Sequence, residues 1–307
     1  VGGVVRVVGD ARCGGLSGVG GRARMGAVCR SAEDVRACLR AHGDVRIAGA
    51  GANLIVADGG VDALVISCKG ALARPFFDIA RNGIARVRAG SGTDLMRLVT
   101  ECARRGLSGI EGLGGIPATL GGAVAMNAGG AFGAIGEVVT RVEALTRDGE
   151  AVTLGHDELG FGYRRSAVRE RDLIVTDVEL GLVEDDPSRV RARLKDVMAY
   201  KKGSQPMAAR SAGCAFRNPR LEGDVEEIGA RGERVSAGML IDRAGCKGLA
   251  AGSAAVSARH ANFITVERGG RADDVIRLMD GVARRVFDRF GVELEREVVV
   301  WGEEGEE

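Results

Sequence analysis

Two glycine-rich segments hold the residues whose types and spacing most clearly indicate a chemistry in this 307-residue chain. The first segment, residues 49–54, reads Gly-Ala-Gly-Ala-Asn-Leu and follows a predicted strand at 45–48. A dinucleotide-binding βαβ motif would need a third glycine where Leu54 stands and a long helix after it, but a short apolar strand follows. Two glycines between strands still allow backbone N–H groups to approach a phosphate. By itself this segment is therefore either a tight turn or an anion-binding loop.

The second glycine-rich segment, residues 111–130, repeats paired glycines over a short distance. Glycine in ordered backbone costs roughly 0.5–1 kcal/mol relative to alanine, so its repeated use suggests that something approaches the main chain closely. A pyrophosphate fits this description, and a set of close-packed turns is the alternative. Two such segments in one chain favour a dinucleotide-type cofactor.

The hydrophobic pattern around these segments predicts interleaved strands and helices. They do not alternate in strict βαβ repetition, so the predicted fold class is α+β rather than a doubly wound parallel sheet. A cluster of glycine, proline and polar residues at 203–206 predicts a boundary between two patterned regions. The main predicted helices cover 93–105, 187–202, 237–244 and 272–290, and the main predicted strands cover 63–67, 84–89, 138–146, 173–182, 261–266 and 292–301.

Composition and charge argue against several classes of partner. The 43 Lys and Arg residues balance 42 Asp and Glu, which leaves a net charge of +1 and no electrostatic footprint for nucleic acid or an anionic membrane. Residues 112–136 carry no charge but are too rich in glycine for a lipid-facing helix. The seven cysteines show no CxxC pair and no zinc spacing, which predicts reduced thiols in a cytoplasmic protein without a metal site.

Six ordered motifs carry a family resemblance over nearly the whole chain. They are GAGANLIVADGG (49–60), GLSGIEGLGGIPATLGGAVAMNAGG (106–130), FGYRRS (161–166), QPMAARSAGCAFRNP (205–219), SAGMLIDRAGCKGLAAGSAAVSARHANFI (236–264) and FGVELEREVVVWG (290–302). With these motifs the chain resembles the UDP-N-acetylenolpyruvoylglucosamine reductases, flavoenzymes that make UDP-N-acetylmuramate for peptidoglycan.

The resemblance implies a fold and a cofactor. Similar enzymes bind FAD noncovalently in a two-subdomain FAD-binding fold of the vanillyl-alcohol oxidase type, and a C-terminal α+β subdomain binds the substrate. The corresponding subdomains of this chain would be residues 1–68, 69–203 and 204–290. A return of the last strand, 291–302, to the second subdomain is left open.

The resemblance also implies a reaction. NADPH reduces the flavin, and a hydride then passes from flavin N5 to C3 of the enolpyruvyl ether of UDP-N-acetylglucosamine, with a proton added at C2. Charge that develops on the adjacent carboxylate needs a cation, and Arg164 matches the family's active-site arginine. Glu297 matches the catalytic glutamate, but Glu295 alternates with it on the same predicted strand, and spacing alone does not separate the two.

Cys214 stands where the family usually has a serine as the proton donor. A thiol has an ordinary pKa of about 8.5, much closer to neutral than that of an aliphatic hydroxyl, so it releases a proton more easily. We therefore expect Cys214 to protonate C2. The alternative is a buried structural cysteine.

The resemblance assigns other motif residues to binding. The expected FAD-binding residues are Gly49, Ala50, Gly51, Ala52, Asn53, Leu54, Gly114, Gly115, Ile116, Pro117, Thr119, Gly121, Gly122, Asn127, Ala128 and Gly129. The expected substrate-binding residues are Tyr163, Arg164, Asn218 and Lys202, and a solvated charge at a helix end is the alternative for Lys202. The expected partners are NADPH and the enolpyruvyl substrate, bound by a monomer.

Three residues depart from the family pattern at positions that usually carry polar side chains. Ala52 replaces a usual serine, Ala255 a glutamine and Val266 an asparagine. Buried polar contacts of this type carry selectivity, so their loss argues against full substrate affinity. Two alternatives stay open, and the departures at Cys214, Ala255 and Val266 support the second. One is another FAD-dependent oxidoreductase of the same superfamily. The other is a flavin- or nucleotide-sugar-binding protein that has lost turnover.

Overall fold

The computed structural model describes residues 5–12, 18–78 and 83–302, so the predicted free thiol of Cys13 lies outside the described residues. The chain divides into two compact units, and each has a hydrophobic core of its own. Unit 1 comprises Val1–Ala11, Met25–Ala50 and Ala63–Lys201, and unit 2 comprises Arg12–Arg24, Gly51–Asp62 and Lys202–Glu307.

Strands and helices are interleaved along the chain, which confirms the predicted α+β class. The strands are β1 (Val7–Arg12), β2 (Arg22–Cys29), β3 (Val45–Ile47), β4 (Leu54–Val56), β5 (Val61–Cys68), β6 (Pro75–Asp78), β7 (Ile84–Gly90), β8 (Leu107–Ser108), β9 (Gly129–Gly130), β10 (Gly133–Ala134), β11 (Val139–Leu145), β12 (Ala151–Gly155), β13 (Ile174–Glu184), β14 (Ala250–Ala251), β15 (Ala254–Val256), β16 (Ile264–Val266) and β17 (Val299–Trp301). The helices are α1 (Ala32–Ala41), α2 (Leu95–Arg105), α3 (Leu120–Ala125), α4 (Ala167–Glu170), α5 (Pro187–Ser204), α6 (Ala237–Arg243) and α7 (Ala272–Phe290).

The main sheet of unit 1 runs in the order β12-β11-β13-β7-β6, with β8 beside β13, and its neighbouring strands are antiparallel. Alternating residues of β7 and β13 are buried, as expected for strands with one face on a core. Helix α2 buries Leu98, Val99 and Cys102 in that core and ends at Gly106, whose φ of 72° gives the left-handed cap that glycine favours. This arrangement places the second glycine-rich segment directly after α2 and β8.

A second sheet has the order β1-β2-β5-β3, with β3 and β5 parallel. Helix α1 follows β2, and the Ser31 hydroxyl caps it by accepting a hydrogen bond from the Asp34 N–H at 3.2 Å. The parallel pair matters for the site because β3 ends immediately before the first glycine-rich loop.

Unit 2 contains the sheet β14-β15-β16 and the helices α6 and α7. Its core includes Phe216, Leu240 and Met279, each at most 1% exposed. Helix α7 has the predicted bounds. The last strand, β17, is shorter than predicted and pairs in parallel with β4 rather than with a strand between 69 and 203. Within the described ranges, no helix combines the length and the apolar character that crossing a membrane requires.

Candidate active site

The first glycine-rich loop presents a row of backbone donors. The Ala48 N–H donates to the Ile66 carbonyl at 2.9 Å, which continues the pairing of β3 with β5 up to the loop. Beyond it, none of the described residues accepts a hydrogen bond from the N–H groups of residues 50–53. Gly51 has a φ of 66°. Successive exposed N–H groups in a turn form a concave anion site, so this loop can bind a phosphate group.

Most backbone N–H groups of the second glycine-rich segment donate to acceptors within unit 1. The Gly114 N–H donates to the Glu111 carbonyl at 3.0 Å, and the Gly121 N–H donates to the Ser91 carbonyl at 2.8 Å. Its glycines are also required by packing, because a Cβ on Gly112 would lie 2.0 Å from the Phe132 carbonyl oxygen. The close-packed turns considered for this segment therefore have a direct structural basis, whether or not a ligand also lies against it.

Gly49 and Thr119, two of the predicted cofactor-binding residues, are adjacent in unit 1. A Cβ on Gly49 would lie 2.6 Å from the Thr119 hydroxyl oxygen. That oxygen caps α3 by accepting a hydrogen bond from the Gly122 N–H at 3.4 Å. The glycine at position 49 thus allows the end of β3 to approach the start of α3.

Asn127 and Arg164, predicted to bind the cofactor and to stabilise charge, belong to one local network. Asn127 is 8% exposed with a φ of 43°; its Nδ2 donates to the Gly162 carbonyl at 2.7 Å, and its Oδ1 accepts from the Gly136 N–H at 3.0 Å. Gly162 begins the tight turn that carries Arg164, which has a φ of 54°. The Arg164 guanidinium donates to the Gly129 carbonyl at 3.1 Å.

Tyr163 occupies the other central position of the same turn. Its ring centroid lies 5.4 Å from the guanidinium carbon of Arg164, and its side chain is exposed. A planar cation beside an aromatic face on an exposed turn can bind a carboxylate or a phosphate. The sequence-predicted residues Asn127, Gly129, Tyr163 and Arg164 are therefore brought together.

Cys214 and Glu297 lie on neighbouring extended segments of unit 2. The Glu297 N–H donates to the Ala215 carbonyl at 2.8 Å, and the Asn53 side chain donates to the Glu297 carbonyl at 2.9 Å. Asn53, predicted as a cofactor-binding residue, thus fixes the backbone of the predicted catalytic glutamate. Cys214 is partly exposed, which a purely structural cysteine of the core would not be.

Asn262 is a residue that the sequence reasoning missed. It is 3% exposed; its Oδ1 accepts from the Phe216 N–H at 2.9 Å, and its Nδ2 donates to the Phe216 carbonyl at 2.8 Å. Its carbonyl also accepts from the Ala215 N–H at 2.8 Å. Three hydrogen bonds from one residue hold the segment that follows Cys214. The sequence signal that could have identified Asn262 was its place in the motif at 236–264, two residues after His260.

One of the two glutamates of the last segment has an arginine partner. Glu295 is engaged with Arg217, whose guanidinium donates to its Oε1 at 2.5 Å. Asn218, next to Arg217, accepts at its Oδ1 from the Ala237 N–H at 3.0 Å and so caps the start of α6. These contacts give Glu295 and Asn218 structural partners within unit 2.

Lys202 and its neighbour differ in burial. The Lys202 side chain is exposed, and its carbonyl accepts from Arg259 at 3.2 Å. Lys201, which the sequence reasoning did not single out, is 6% exposed and donates to the Gly114 carbonyl at 2.5 Å. Burial lowers the pKa of the Lys201 amine to about 8.

Unit 1 contains a buried hydroxyl without a partner. Thr93 is 4% exposed, and nothing in the described part of the chain bonds to its Oγ1. Its backbone carbonyl accepts from Leu120 at the start of α3. A buried hydroxyl without a partner is unusual in a folded protein, and a bound ligand can satisfy it. The described residues contain no cluster of three or more side chains able to bind a metal.

Comparison with protein families defines the class. A family model described as an FAD binding domain matches residues 23–155. A second, described as the C-terminal domain of UDP-N-acetylenolpyruvoylglucosamine reductase, matches residues 205–301. An FAD-binding domain followed by this C-terminal domain makes the chain an FAD-dependent oxidoreductase, which confirms the predicted fold and cofactor.

Individual relatives narrow the class to one family. The UDP-N-acetylenolpyruvoylglucosamine reductase of Desulfosudis oleivorans is 42% identical over 82% of this chain and 79% of its own length. That of Moorella thermoacetica is 37% identical over 93% of this chain and 89% of its own. The crystal structure of the Thermus caldophilus enzyme matches with a TM-score of 0.78 and 38% identity, covering 97% of this chain and 98% of that one. The chain belongs to the UDP-N-acetylenolpyruvoylglucosamine reductase family.

Proposed function

We propose that this enzyme uses NADPH to reduce the enolpyruvyl ether of UDP-N-acetylglucosamine to UDP-N-acetylmuramate, a cytoplasmic step of peptidoglycan precursor synthesis. The observation that carries the proposal is the network from Asn53 through Glu297 to Ala215. It holds a carboxylate and a partly exposed thiol on neighbouring segments. The names of the relatives support the same substrate.

The first glycine-rich loop and Asn53 are among the residues that would hold FAD. The N–H groups of residues 50–53 would bind its pyrophosphate, since they have no acceptor among the described residues. When bound, FAD accepts a hydride from NADPH and supplies it to the enolpyruvyl C3. Everything else in the reaction falls to side chains of this chain.

Arg164 binds the substrate carboxylate and stabilises the negative charge that develops there. Its guanidinium is delocalised and permanently charged, and its position is fixed by the turn before the substrate arrives. A donor that is already oriented at developing charge contributes more than one that must reorganise. The turn therefore orients the Arg164 guanidinium in advance to stabilise the charged intermediate.

Cys214 gives its thiol proton to C2 of the intermediate, and the resulting thiolate takes a proton back from solvent. Glu297, which matches the catalytic glutamate of the family, orients the intermediate, and Asn53 holds its backbone carbonyl. Hydride at C3 and proton at C2 together saturate the double bond, and no further reductant is needed.

Cys214→Ala tests the proposal in two half-reactions followed anaerobically by the flavin absorption band. Reduction by NADPH should keep its wild-type rate, and reoxidation by the enolpyruvyl substrate should slow by about 10²-fold or more, the usual contribution of a general acid. Cys246→Ala, which removes a buried thiol of unit 2, is the matched control and should leave both rates near wild type.

Cys214→Ser sharpens the same test because a hydroxyl retains a proton to donate. It should reoxidise faster than Cys214→Ala. Equal slowing of both half-reactions in Cys214→Ala would contradict the assignment of the thiol. A wild-type flavin that NADPH reduces but the substrate fails to reoxidise would favour a flavoprotein with altered or lost activity.

A further inference from the structure

Lys201 is a buried lysine whose charge is met only by backbone carbonyls. Its Nζ donates to the Gly114 carbonyl at 2.5 Å and lies 3.5 Å from the Gly112 carbonyl oxygen. In the described part of the chain no carboxylate is paired with it. Burying an ammonium without a counter-ion is costly, which the lowered pKa of about 8 reflects. A lysine in such a place calls for a functional explanation.

The same face of α5 contacts the second glycine-rich segment at Gly114. Residues spaced by three or four share one side of a helix, and here these are Val190, Leu194, Val197 and Lys201. A Cβ on Gly114 would lie 2.4 Å from the Leu194 Cδ1. The helix therefore packs directly on the segment that Lys201 bonds to.

Arg193 secures the start of the segment. Its Nε donates to Glu111 Oε1 at 2.8 Å, and its Nη2 donates to the Ser108 hydroxyl at 3.0 Å. Tyr200 packs its ring edge-to-face against Phe132 at 5.1 Å, and the Phe132 carbonyl in turn lies against Gly112. Residues of α5 thus contact the stretch 108–114 both at its start and at its end.

Lys201 supplies hydrogen-bond donors to two carbonyls of the segment. The N–H groups of Leu113 and Gly114 are used within the segment, by the carbonyls of Ile110 and Glu111. The carbonyls of Gly112 and Gly114 therefore need a donor from another part of the chain. The glycines of this segment also have no side chains that would restrict the backbone. One long amine reaches both carbonyls.

We propose that Lys201 is the positioning residue of the second glycine-rich segment: by holding the carbonyls of Gly112 and Gly114, it fixes residues 111–116 in the conformation that binds FAD. The inference rests on the proposed binding of FAD, here at the expected FAD-binding residues Gly114, Gly115 and Ile116, and not on the identity of the substrate. Burial of the Lys201 charge is unfavourable, but it leaves the segment ordered before FAD binds, which favours binding.

Lys201→Met tests this role because methionine keeps much of the length and apolar bulk but removes the donors. The dissociation constant of FAD, measured by titrating the apoprotein, should rise about tenfold or more, the equivalent of one charge-assisted hydrogen bond. Lys201→Arg, which retains charge and donors, should recover part of the affinity. Lys195→Met, an exposed position on the same helix, should match wild type.

Amide hydrogen exchange of the apoprotein separates positioning from general stability. In Lys201→Met, exchange should accelerate at residues 112–116 and stay at the wild-type rate in β11 and β13. Wild-type FAD affinity in this variant would overturn the proposal, and so would faster exchange throughout unit 1. Lys201→Gln, whose shorter side chain cannot span the same distance, replaces the methionine variant if that one fails to fold. A wild-type chain that binds no FAD would overturn the proposed function itself, which is a different outcome.

Discussion

Arg164 in unit 1 and Cys214 in unit 2 each reach their position with the help of a buried asparagine, but their backbones differ. Asn127 bonds to Gly162 and Gly136 and holds a tight turn in which Arg164 has a φ of 54°. Asn262 bonds to both backbone groups of Phe216 and holds an extended segment. One predicted catalytic residue is on a turn in the left-handed region, and the other is on ordinary extended backbone.

This difference in backbone conformation sets how a substitution at each position should affect stability and activity. A non-glycine residue in the left-handed region costs about 1–2 kcal/mol, a type of strain that is typical of functional sites. Extended backbone carries no such cost. We therefore expect changes at the Arg164 turn to affect activity more than stability, whereas changes at Asn262 should affect both.

Asn262→Ala should have the largest effect on stability. It removes two side-chain hydrogen bonds in the core of unit 2 and leaves the N–H and carbonyl of Phe216 unpaired, so the free energy of unfolding should fall by about 2–4 kcal/mol. Denaturant unfolding measures this loss. Thr265→Ala removes one partly buried bond to Ala255 and should cost less than about 1 kcal/mol. A loss at Asn262 no larger than at Thr265 would contradict the account.

Asn127→Ala should lower the free energy of unfolding by about 1–3 kcal/mol, because it removes the bonds to Gly162 and Gly136 and places alanine at a φ of 43°. Asn127→Gly loses the same bonds without the backbone cost and should be less destabilised. Thermal or denaturant unfolding of the two variants compares them. Equal losses would show that backbone conformation at this residue does not matter.

Arg164→Gly should have the smallest effect on stability. Glycine relieves the cost of a positive φ, which offsets the lost bond to Gly129, so the free energy of unfolding should stay within about 0.5 kcal/mol of wild type. Arg164→Ala keeps the backbone cost and should be lower by about 1 kcal/mol. In both variants, substrate-driven reoxidation of the flavin should slow strongly. A stable Arg164→Gly enzyme with normal reoxidation would contradict the proposed role.

Features with a local sequence signal were predicted well. Helix α7 spans the residues its periodicity indicated. These features depend on contacts between residues close in the chain, and the 3.6-residue pattern reports such contacts directly. The same holds for the α+β class.

Features that depend on distant contacts could not be read from the sequence. The pairing of β17 with β4 joins residues about 245 apart, and periodicity contains no information on register at that distance. Glu295 and Glu297 alternate on one segment, and the contact of Glu295 with Arg217 joins residues 78 apart in the chain. Lys201 and Lys202 are adjacent in sequence, and the burial of Lys201 follows from packing against Gly114.

The most direct test of the central claim is an anaerobic flavin spectrum of the purified wild-type enzyme, recorded after NADPH and again after the enolpyruvyl substrate. We expect the oxidised flavin band to bleach with NADPH and to return when UDP-N-acetylglucosamine enolpyruvate is added. A band that bleaches and does not return would contradict the proposed substrate. If FAD is supplied and no flavin band stays with the protein once unbound FAD is removed, the cofactor site would be contradicted.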